Sequence, residues 1–205
     1  WSLSAVTAIS RCPKSYYKDG IIEGVQLSKE DQYCFNGQRL EKVSGTHGET
    51  GAVYRTELDG FNSVKIVESN SYGALAFEVS TKAAETHIYG TTASTKNQNA
   101  YVGYEAKPST YLISSSRDVI GNEILYYYER PQGWKQETLL EAIVWSSGKM
   151  NVLYINYAEN PRPKSGYTAG YPYQATKLAT SVSVFKDLQK DIGDDLANTN
   201  TIFDG

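Results

Sequence analysis

Two cysteines, Cys12 and Cys34, are the side chains of this sequence whose chemistry is most sharply limited by their number and spacing. An even count suits one disulfide in an oxidising compartment. Such a bridge would contribute on the order of 3 kcal/mol to stability. The spacing fits neither a Cys-x-x-Cys redox pair nor a zinc site, and only two histidines are present to complete one. A disulfide and two buried free thiols both stay open, with the disulfide favoured if the protein is secreted.

Acidic and histidine side chains do not form a recognisable catalytic set. ADP-ribosyl transfer needs a Glu-x-Glu pair on one strand face, and the nearest approach is Glu57-Leu58-Asp59, at a predicted turn. A glycosidase needs two opposed carboxylates, and none of the 23 acidic residues stands out by context. His47 and His87 lack both metal-ligand spacing and a nucleophile motif, and no Gly-x-Ser-x-Gly string occurs. We therefore expect no catalytic residue and a protein that is not an enzyme.

Ligand sites for metals and cofactors are also not predicted. Four aspartates cluster near the C-terminus without the spacing of a calcium loop, so a solvated face is the favoured interpretation. These are Asp187, Asp191, Asp194 and Asp195. Residues 91–99 form a polar stretch that lacks the Gly-x-x-x-x-Gly-Lys pattern of a phosphate loop.

Aromatic residues give the chain its unusual composition, with 17 tyrosines and three tryptophans. Tyrosine favours strands, where its ring lies over the sheet and its hydroxyl reaches water. The favoured interpretation is therefore β-sheet surface. The alternative is a ligand platform, which would make the chain a carbohydrate- or surface-binding module that uses exposed Tyr and Trp, foremost Trp134 and Trp145, to bind a glycan.

Bulk properties exclude several classes of protein. The charge is −3, from 20 basic and 23 acidic residues, which argues against a nucleic-acid partner. Hydrophobic residues make up 40% of the chain, as in globular proteins. No run approaches the roughly 18 apolar residues of a transmembrane span. Because the sequence starts on Trp1 without a methionine, we expect a fragment or a processed product.

The positioning elements are predicted to be short β-strands. Residues 33–40 (YCFNGQRL) place apolar residues on both sides of Asn36-Gly37, the dipeptide that best tolerates a type I′ hairpin turn. Further strand pairs with turns between them are expected at residues 53–58 and 61–67, 74–80 and 86–89, 109–114 and 123–128, and 139–145 and 150–157. The fold class is therefore all-β, with antiparallel hairpins forming a sandwich, a barrel or an extended sheet.

Two further features complete the expected architecture. Pro161 and Pro163 are predicted to end the last of these strands, because proline cannot donate to a ladder. Residues 184–198 carry a helix-compatible spacing that Gly193 weakens. We therefore expect at most one short helix, near the C-terminus.

Several strings also resemble one protein family in the same order along the chain. They are WSLS at 1–4, ISRCP at 9–13, YCFNGQRL at 33–40, VYRTELDGF at 53–61, FEVSTK at 77–82 with YG at 89–90, DVIGNEILYYY at 118–128, and VLYINY at 152–157 with RP at 162–163 and GY at 166–167. Together they resemble the SpvB-like N-terminal region of RHS/YD-repeat toxin proteins, such as the B component of insecticidal toxin complexes. The resemblance covers residues 1–180, and residues 181–205 match nothing in it. Tyr111 departs from the pattern, standing where a tryptophan is common.

The resemblance implies an architecture and a role. Members of this family are large secreted proteins whose β-strands spiral into a hollow shell around a toxin domain, and the SpvB-like part is structural. We therefore expect residues 1–205 to be a single all-β domain, or a piece of a larger protein, that acts as a scaffold. Its expected partners are other segments of the same protein or of a toxin complex, with self-association through strand edges.

Overall fold

The computed structural model describes residues 6–58, 62–93, 99–131, 137–146, 150–168 and 170–188, without the side chains of 168, 187 and 188. Within these ranges lie thirteen β-strands and one four-residue helix, α1 (Tyr16–Asp19). The strands are β1 (Ala8–Cys12), β2 (Gln32–Phe35), β3 (Gln38–Ser44), β4 (Val53–Thr56), β5 (Ser63–Asn70), β6 (Gly73–Ser80), β7 (Thr86–Gly90), β8 (Tyr101–Tyr104), β9 (Lys107–Arg117), β10 (Glu123–Glu129), β11 (Leu139–Ser146), β12 (Met150–Thr168) and β13 (Tyr171–Leu188). None of the described helical segments is long and apolar enough to cross a membrane.

Eight of the strands close into an antiparallel barrel. Strands β1 to β7 follow one another around it, and β9 closes it by pairing with β7 on one side and β1 on the other. The same long strand also pairs with β8 near its start and with β10 near its end. From β10 the chain continues as an antiparallel meander through β11 and β12 to β13. The predicted all-β fold is confirmed, and it combines a barrel with an extended sheet.

The turn predictions hold where the structure describes them. Asn36 and Gly37 have φ angles of 48° and 80° between β2 and β3, as a type I′ turn requires. The Asp118 carboxylate accepts hydrogen bonds from the backbone N–H groups of Ile120 and Asn122, which fixes the turn from β9 to β10. These local signals set the register of the hairpins on either side.

The core fills the barrel and continues under the first strands of the meander. Tyr33, Phe77 and Tyr111 pack edge to face, with ring centroids 4.9 to 6.3 Å apart. Tyr126 and Ile155 extend the same core into β10 and β12. The barrel interior is thus occupied by aromatic and branched side chains from all around the sheet.

Three sequence predictions are resolved by the fold. Cys12 and Cys34 form a disulfide that joins β1 to β2, with their Cα atoms 5.9 Å apart. The helix expected over 184–198 is corrected in its described part, since Val184 belongs to β13 and residues 184–188 complete that strand; the rest lies outside the described residues. Pro161 and Pro163 do not end β12, because pairing with β13 resumes at Lys164 after an irregularity.

Candidate functional site

One mouth of the barrel is closed by Arg11, a fully buried side chain at the end of β1. Its guanidinium donates to the Pro108 carbonyl over 2.7 Å, to the Tyr72 carbonyl over 2.8 Å, and to the Ser28 carbonyl. It also lies 3.2 Å from the Asp31 carboxylate. One residue therefore ties together the β1–β2 connection, the β5–β6 turn and the start of β9.

Asp31 links this mouth to the next loop. Its carboxylate accepts from the backbone N–H groups of Gln26 and Ser28, and its own carbonyl lies 2.9 Å from His47 Nε2. Gly48 N–H donates to the Tyr54 hydroxyl, which lies 3.0 Å from His47 Nδ1. Burial raises the pKa of Tyr54 to about 12, so its hydroxyl stays protonated at neutral pH. The Asp31 carbonyl can only accept, so His47 donates to it from Nε2.

Buried tyrosines extend the same network, and for these residues the interpretation of tyrosine as sheet surface is wrong. Tyr33 and Tyr111 bind opposite sides of one residue: Tyr33 Oη accepts from Ala74 N–H, and Tyr111 Oη donates to the Ala74 carbonyl. Tyr128 Oη donates to the Ile113 carbonyl. Because each hydroxyl finds a backbone partner inside the protein, the rings can be buried without loss of a hydrogen bond.

The groups of this network stabilise the fold and are not arranged for catalysis. Arg11 and Asp31 satisfy each other and are both almost completely removed from solvent. Burial raises the pKa of Tyr111 and Tyr128 well above the ordinary tyrosine range, so both remain neutral donors. These groups hold the loops in place. Apart from the position of Arg11 next to Cys12, the sequence motifs did not predict this network.

The outer edge of β13 is the surface best suited to pair with a further β-strand. Among the described strands, β13 pairs only with β12, so its other edge carries no described partner. Residues 178–184 (LATSVSV) contain no charge and no proline, and one irregularity at Thr180 interrupts their ladder. Natural edge strands are normally protected by charges, prolines or bulges. Within residues 178–184 only the bulge is present, although Lys177 and Lys186 flank this stretch of β13.

An apolar row leads directly to that edge. Tyr126, Ile143 and Leu153 lie side by side across β10, β11 and β12, and Val184 is the next residue in the row. The first three pack against the barrel core, whereas Val184 is 52% exposed. Val182, which is paired with buried Ile155, is 58% exposed. The apolar face of the sheet therefore continues past the point where the protein covers it.

The long β12–β13 hairpin is held in position at two points. Buried Glu137 accepts from the backbone N–H groups of Thr176 and Lys177, opposite the irregular stretch of β12. At the tip, Lys107 donates a 2.8 Å hydrogen bond to Tyr171 and lies 5.1 Å from the centre of that ring. The hairpin, and with it the edge of β13, is thus fixed relative to the barrel.

The structure does not bring the remaining predicted site residues together among the described residues. Trp145 is partly buried on β11, between Ile124 and Asn151, whereas Trp134 lies outside the described residues. The glycan platform built on these two residues therefore stays a prediction. His87 lies on β7, with Nε2 3.7 Å from the Glu85 carboxylate.

The acidic residues weighed as candidate sites are also not assembled in the described structure. Glu57 forms an ion pair with Lys18, and Asp59 lies outside the described residues. Residues 189–205, with three of the four clustered aspartates, and the side chain of Asp187 also lie outside them. The described residues contain no cluster of three or more histidine, cysteine, aspartate or glutamate side chains able to hold a metal.

Comparison with known proteins identifies the fold. No protein-family model and no curated protein matches the chain. The N-terminal domain of the effector protein SpvB from Salmonella typhimurium strain LT2 is similar, with a TM-score of 0.69 and 13% identity over 88% of this chain and 75% of that one. A crystal structure of TcdB2-TccC3 is similar with a TM-score of 0.65 and 12% identity, over 95% of this chain and 12% of that one.

A Photorhabdus luminescens Tc holotoxin pore is also similar, with a TM-score of 0.62 and 15% identity over 90% of this chain. This chain spans only 11% of that one. At these identities the likeness shows a common fold. The resemblance read from the sequence motifs is thereby supported as a structural relationship to SpvB and toxin-complex proteins.

Proposed function

We propose that the chain is a non-enzymatic scaffold segment of a secreted, toxin-related protein, and that the edge of β13 is extended by a further β-strand. The observation that carries the proposal is the uncharged edge at residues 178–184, where an apolar row runs out to exposed Val182 and Val184. The SpvB and toxin-complex neighbours support a toxin-related scaffold. The Cys12–Cys34 disulfide supports an extracellular location.

The partner in this proposal is another segment of the same polypeptide or of a toxin complex. The fold occupies about an eighth or less of the toxin-complex chains to which it is similar, so in those proteins it is one part of a longer chain. A strand that follows β13 would continue the meander in the direction in which β10 to β13 already run.

Strand addition has a definite driving force. The incoming strand pairs with backbone N–H and C=O groups on the outer edge of β13. It also covers the exposed halves of Val182 and Val184, which contributes on the order of 1 kcal/mol for each side chain. Polar groups of the barrel mouth take no part, since Arg11 and Asp31 are already engaged with each other.

The test is self-association of the isolated chain, because an unextended edge can pair with a second copy. We expect light scattering coupled to size-exclusion chromatography to show dimers whose fraction rises with protein concentration. Val182→Lys and Val184→Lys place a charge on the edge and should return the protein to a monomer.

The matched control is Val119→Lys, which charges an exposed apolar residue in the β9–β10 turn, away from the β13 edge. It should leave the association unchanged. A wild-type protein that stays monomeric at every concentration, or dimers that survive both edge substitutions, would contradict strand addition at β13.

A further inference from the structure

The turn between β2 and β3 contains a pair of residues that can react with each other. Of the eleven asparagines in the chain, Asn36 alone is followed by glycine. The backbone nitrogen of the following residue can attack the side-chain amide of an asparagine. Glycine hinders this attack least, because it has no Cβ and restricts the backbone least. Asn36-Gly37 is therefore the place where the sequence most favours the reaction.

Both reacting groups are accessible in the folded protein. Asn36 and Gly37 are exposed at the tip of the hairpin. The side-chain oxygen of Asn36 accepts one long hydrogen bond, of 3.4 Å, from Ala8 N–H. A Cβ placed on Gly37 would meet no atom within 4 Å, so solvent surrounds the attacking residue. The amide carbon and the nitrogen that attacks it are thus open to water and weakly restrained.

Asn70, in front of Ser71 in the turn from β5 to β6, provides a contrast. Its amide nitrogen donates to the Ala106 carbonyl over 2.7 Å. Its amide oxygen accepts from Tyr72 N–H over 2.8 Å. Two short hydrogen bonds therefore fix the whole amide group of Asn70 in one orientation. The structure, as well as the sequence, distinguishes Asn36 from this second turn asparagine.

We propose that Asn36 is a site of spontaneous covalent modification, at which the asparagine becomes aspartate or isoaspartate. The Gly37 nitrogen forms a bond to Cγ of Asn36 and loses its proton. The C–N bond of the side-chain amide breaks, and ammonia leaves with that proton. The product is a five-membered cyclic imide, in which the Gly37 nitrogen is bonded to both carbonyl carbons of residue 36.

Water completes the reaction by opening the imide. Cleavage of the bond between the nitrogen and Cγ gives aspartate, with the main chain unchanged. Cleavage of the bond between the nitrogen and the main-chain carbonyl carbon gives isoaspartate, in which the main chain runs through Cβ and Cγ. Both products carry a new carboxylate, and no oxidant or reductant takes part.

The turn conformation sets the rate of the reaction. Asn36 and Gly37 have φ angles of 48° and 80°, and closure of the ring requires the backbone of Asn36 to leave this conformation. The turn must therefore open locally. Such an opening disturbs little else, because the Cys12–Cys34 disulfide continues to hold β2 against β1. The reaction therefore proceeds in the folded protein, but more slowly than in the unfolded chain.

The two products have different consequences for the hairpin. Aspartate keeps the main chain and an oxygen that can accept from Ala8 N–H. Isoaspartate adds one carbon to the main chain of a two-residue turn, so the pairing of Phe35 with Gln38 loses its register. Asn36 N–H also donates to the Ala8 carbonyl over 3.2 Å, so the disturbance reaches the start of β1.

The test is peptide mapping by mass spectrometry after incubation of the full chain at pH 8 and 37 °C. We expect the peptide that contains residues 33–40 to gain one mass unit, as separate aspartate and isoaspartate forms. Because glycine hinders the attack least, the rate at Asn36 should exceed that at Asn70 about tenfold or more. Gly37→Asn keeps a residue that tolerates positive φ but adds a side chain beside the nitrogen, and it should slow the reaction about tenfold or more.

The matched control is Gly121→Asn, the same substitution at another exposed glycine of positive φ with no atom near its Cβ position. It should leave the rate at Asn36 unchanged. The proposal is overturned if residues 33–40 gain mass only in urea, where the chain is unfolded. It is also overturned if Asn70 reacts as fast as Asn36, or if Gly37→Asn reacts as fast as the wild type.

Discussion

The guanidinium of Arg11 is buried at one end of the barrel, where it faces four acceptors. Three are backbone carbonyls of distant segments, and the fourth is the carboxylate of Asp31. A buried charge is tolerated only when its partners are this complete. The side chain therefore acts as a fixed point on which the loops at this end of the barrel are assembled.

Replacing Arg11 with methionine keeps much of the volume and removes the charge. We expect the free energy of unfolding to fall by about 3 kcal/mol or more, because Asp31 and three carbonyls lose their donor in a buried site. Urea denaturation followed by intrinsic fluorescence measures this loss.

The control for Arg11 is Arg117→Met, which removes an exposed ion pair with Glu123. Its cost should stay below about 1 kcal/mol. Equal losses for the two arginine variants would show that the buried network does not hold the mouth of the barrel. Addition of Asp31→Asn to Arg11→Met should recover part of the loss, since the unpaired carboxylate is then removed.

Buried Glu141 on β11 makes the stability of the fold fall as the pH rises above the ordinary titration range of glutamate. Burial, with the negative charge of Glu129 as a second cause, raises the pKa of its carboxyl group. The folded state therefore holds this proton more tightly than the unfolded chain. Its contribution to stability is complete below the unfolded-state pKa, about 4.3, and is lost as the pH rises through the raised folded-state value.

We expect Glu141→Gln to raise the thermal midpoint at pH 7, because the wild type loses stability as the pH rises above the ordinary range of glutamate and glutamine does not titrate. The difference should disappear near pH 4. Glu123→Gln, at the partly exposed start of β10, is the control and should give no such gain. Differential scanning calorimetry at the two pH values decides the matter, and a loss of stability at pH 7 would refute the assignment.

The burial and the partners of individual side chains were the features least predictable from the sequence. The count of 17 tyrosines indicated strands, yet it could not show that Tyr33, Tyr54 and Tyr111 face inward. Their burial depends on backbone groups and loops that are distant in sequence, such as Ala74 for both Tyr33 and Tyr111. The pairing of Cys12 with Cys34 was likewise left open, because sequence alone does not fix which strands are neighbours.

At the scale of elements, local turn chemistry was the reliable signal. Asn36-Gly37 placed the β2–β3 hairpin because both residues accept positive φ. The β12–β13 hairpin was misjudged because Pro161 and Pro163 were expected to end a strand. Tertiary partners override that rule here: Glu137 supplies acceptors to β13 opposite the interruption, and Lys164 resumes the pairing.

The tip of that hairpin is fastened to the barrel through Lys107. Its ammonium lies 5.1 to 5.8 Å from the ring centres of Tyr72, Tyr104 and Tyr171. Its hydrogen bond to Tyr171 raises the pKa of Lys107, so the cation persists at neutral pH. These cation–π contacts add to the attachment of the hairpin tip.

We expect Lys107→Met to speed hydrogen exchange in residues 157–168 and 171–177, because the hairpin loses its attachment while the barrel keeps its own. Exchange in β5 and β6 should not change. Lys42→Met, on β3, is the matched control and should leave the hairpin as it is. Unchanged exchange in the Lys107 variant would contradict the attachment.

On the scale of the whole molecule, one long strand decides the architecture. Strand β9 closes the barrel with β1 and β7, and its two ends also carry β8 and β10. Alternating patterns predicted β2 to β7, β9 to β12 and the all-β class, but not β1, β8 or β13. The order of family-like strings indicated the SpvB-like fold. The patterns predicted the pairing of β9 with β10, but not its pairing with β1 and β7, which are distant from it in sequence.

The result of this topology is an asymmetric molecule. The barrel leaves no open edge along its wall, whereas the meander ends in β13, whose outer side has no partner among the described residues. A closed barrel joined to a meander whose last described strand can be extended is suited to begin or continue a larger β-structure. This asymmetry is the central claim of the scaffold account.

Residue-resolved hydrogen exchange, measured by mass spectrometry at low and high protein concentration, tests that claim most directly. We predict that residues 178–184 gain protection as the chain associates, and that Val184→Lys abolishes the gain. Protection that appears instead in residues 13–27, between β1 and β2, or no change at residues 178–184 in associated protein, would contradict the account.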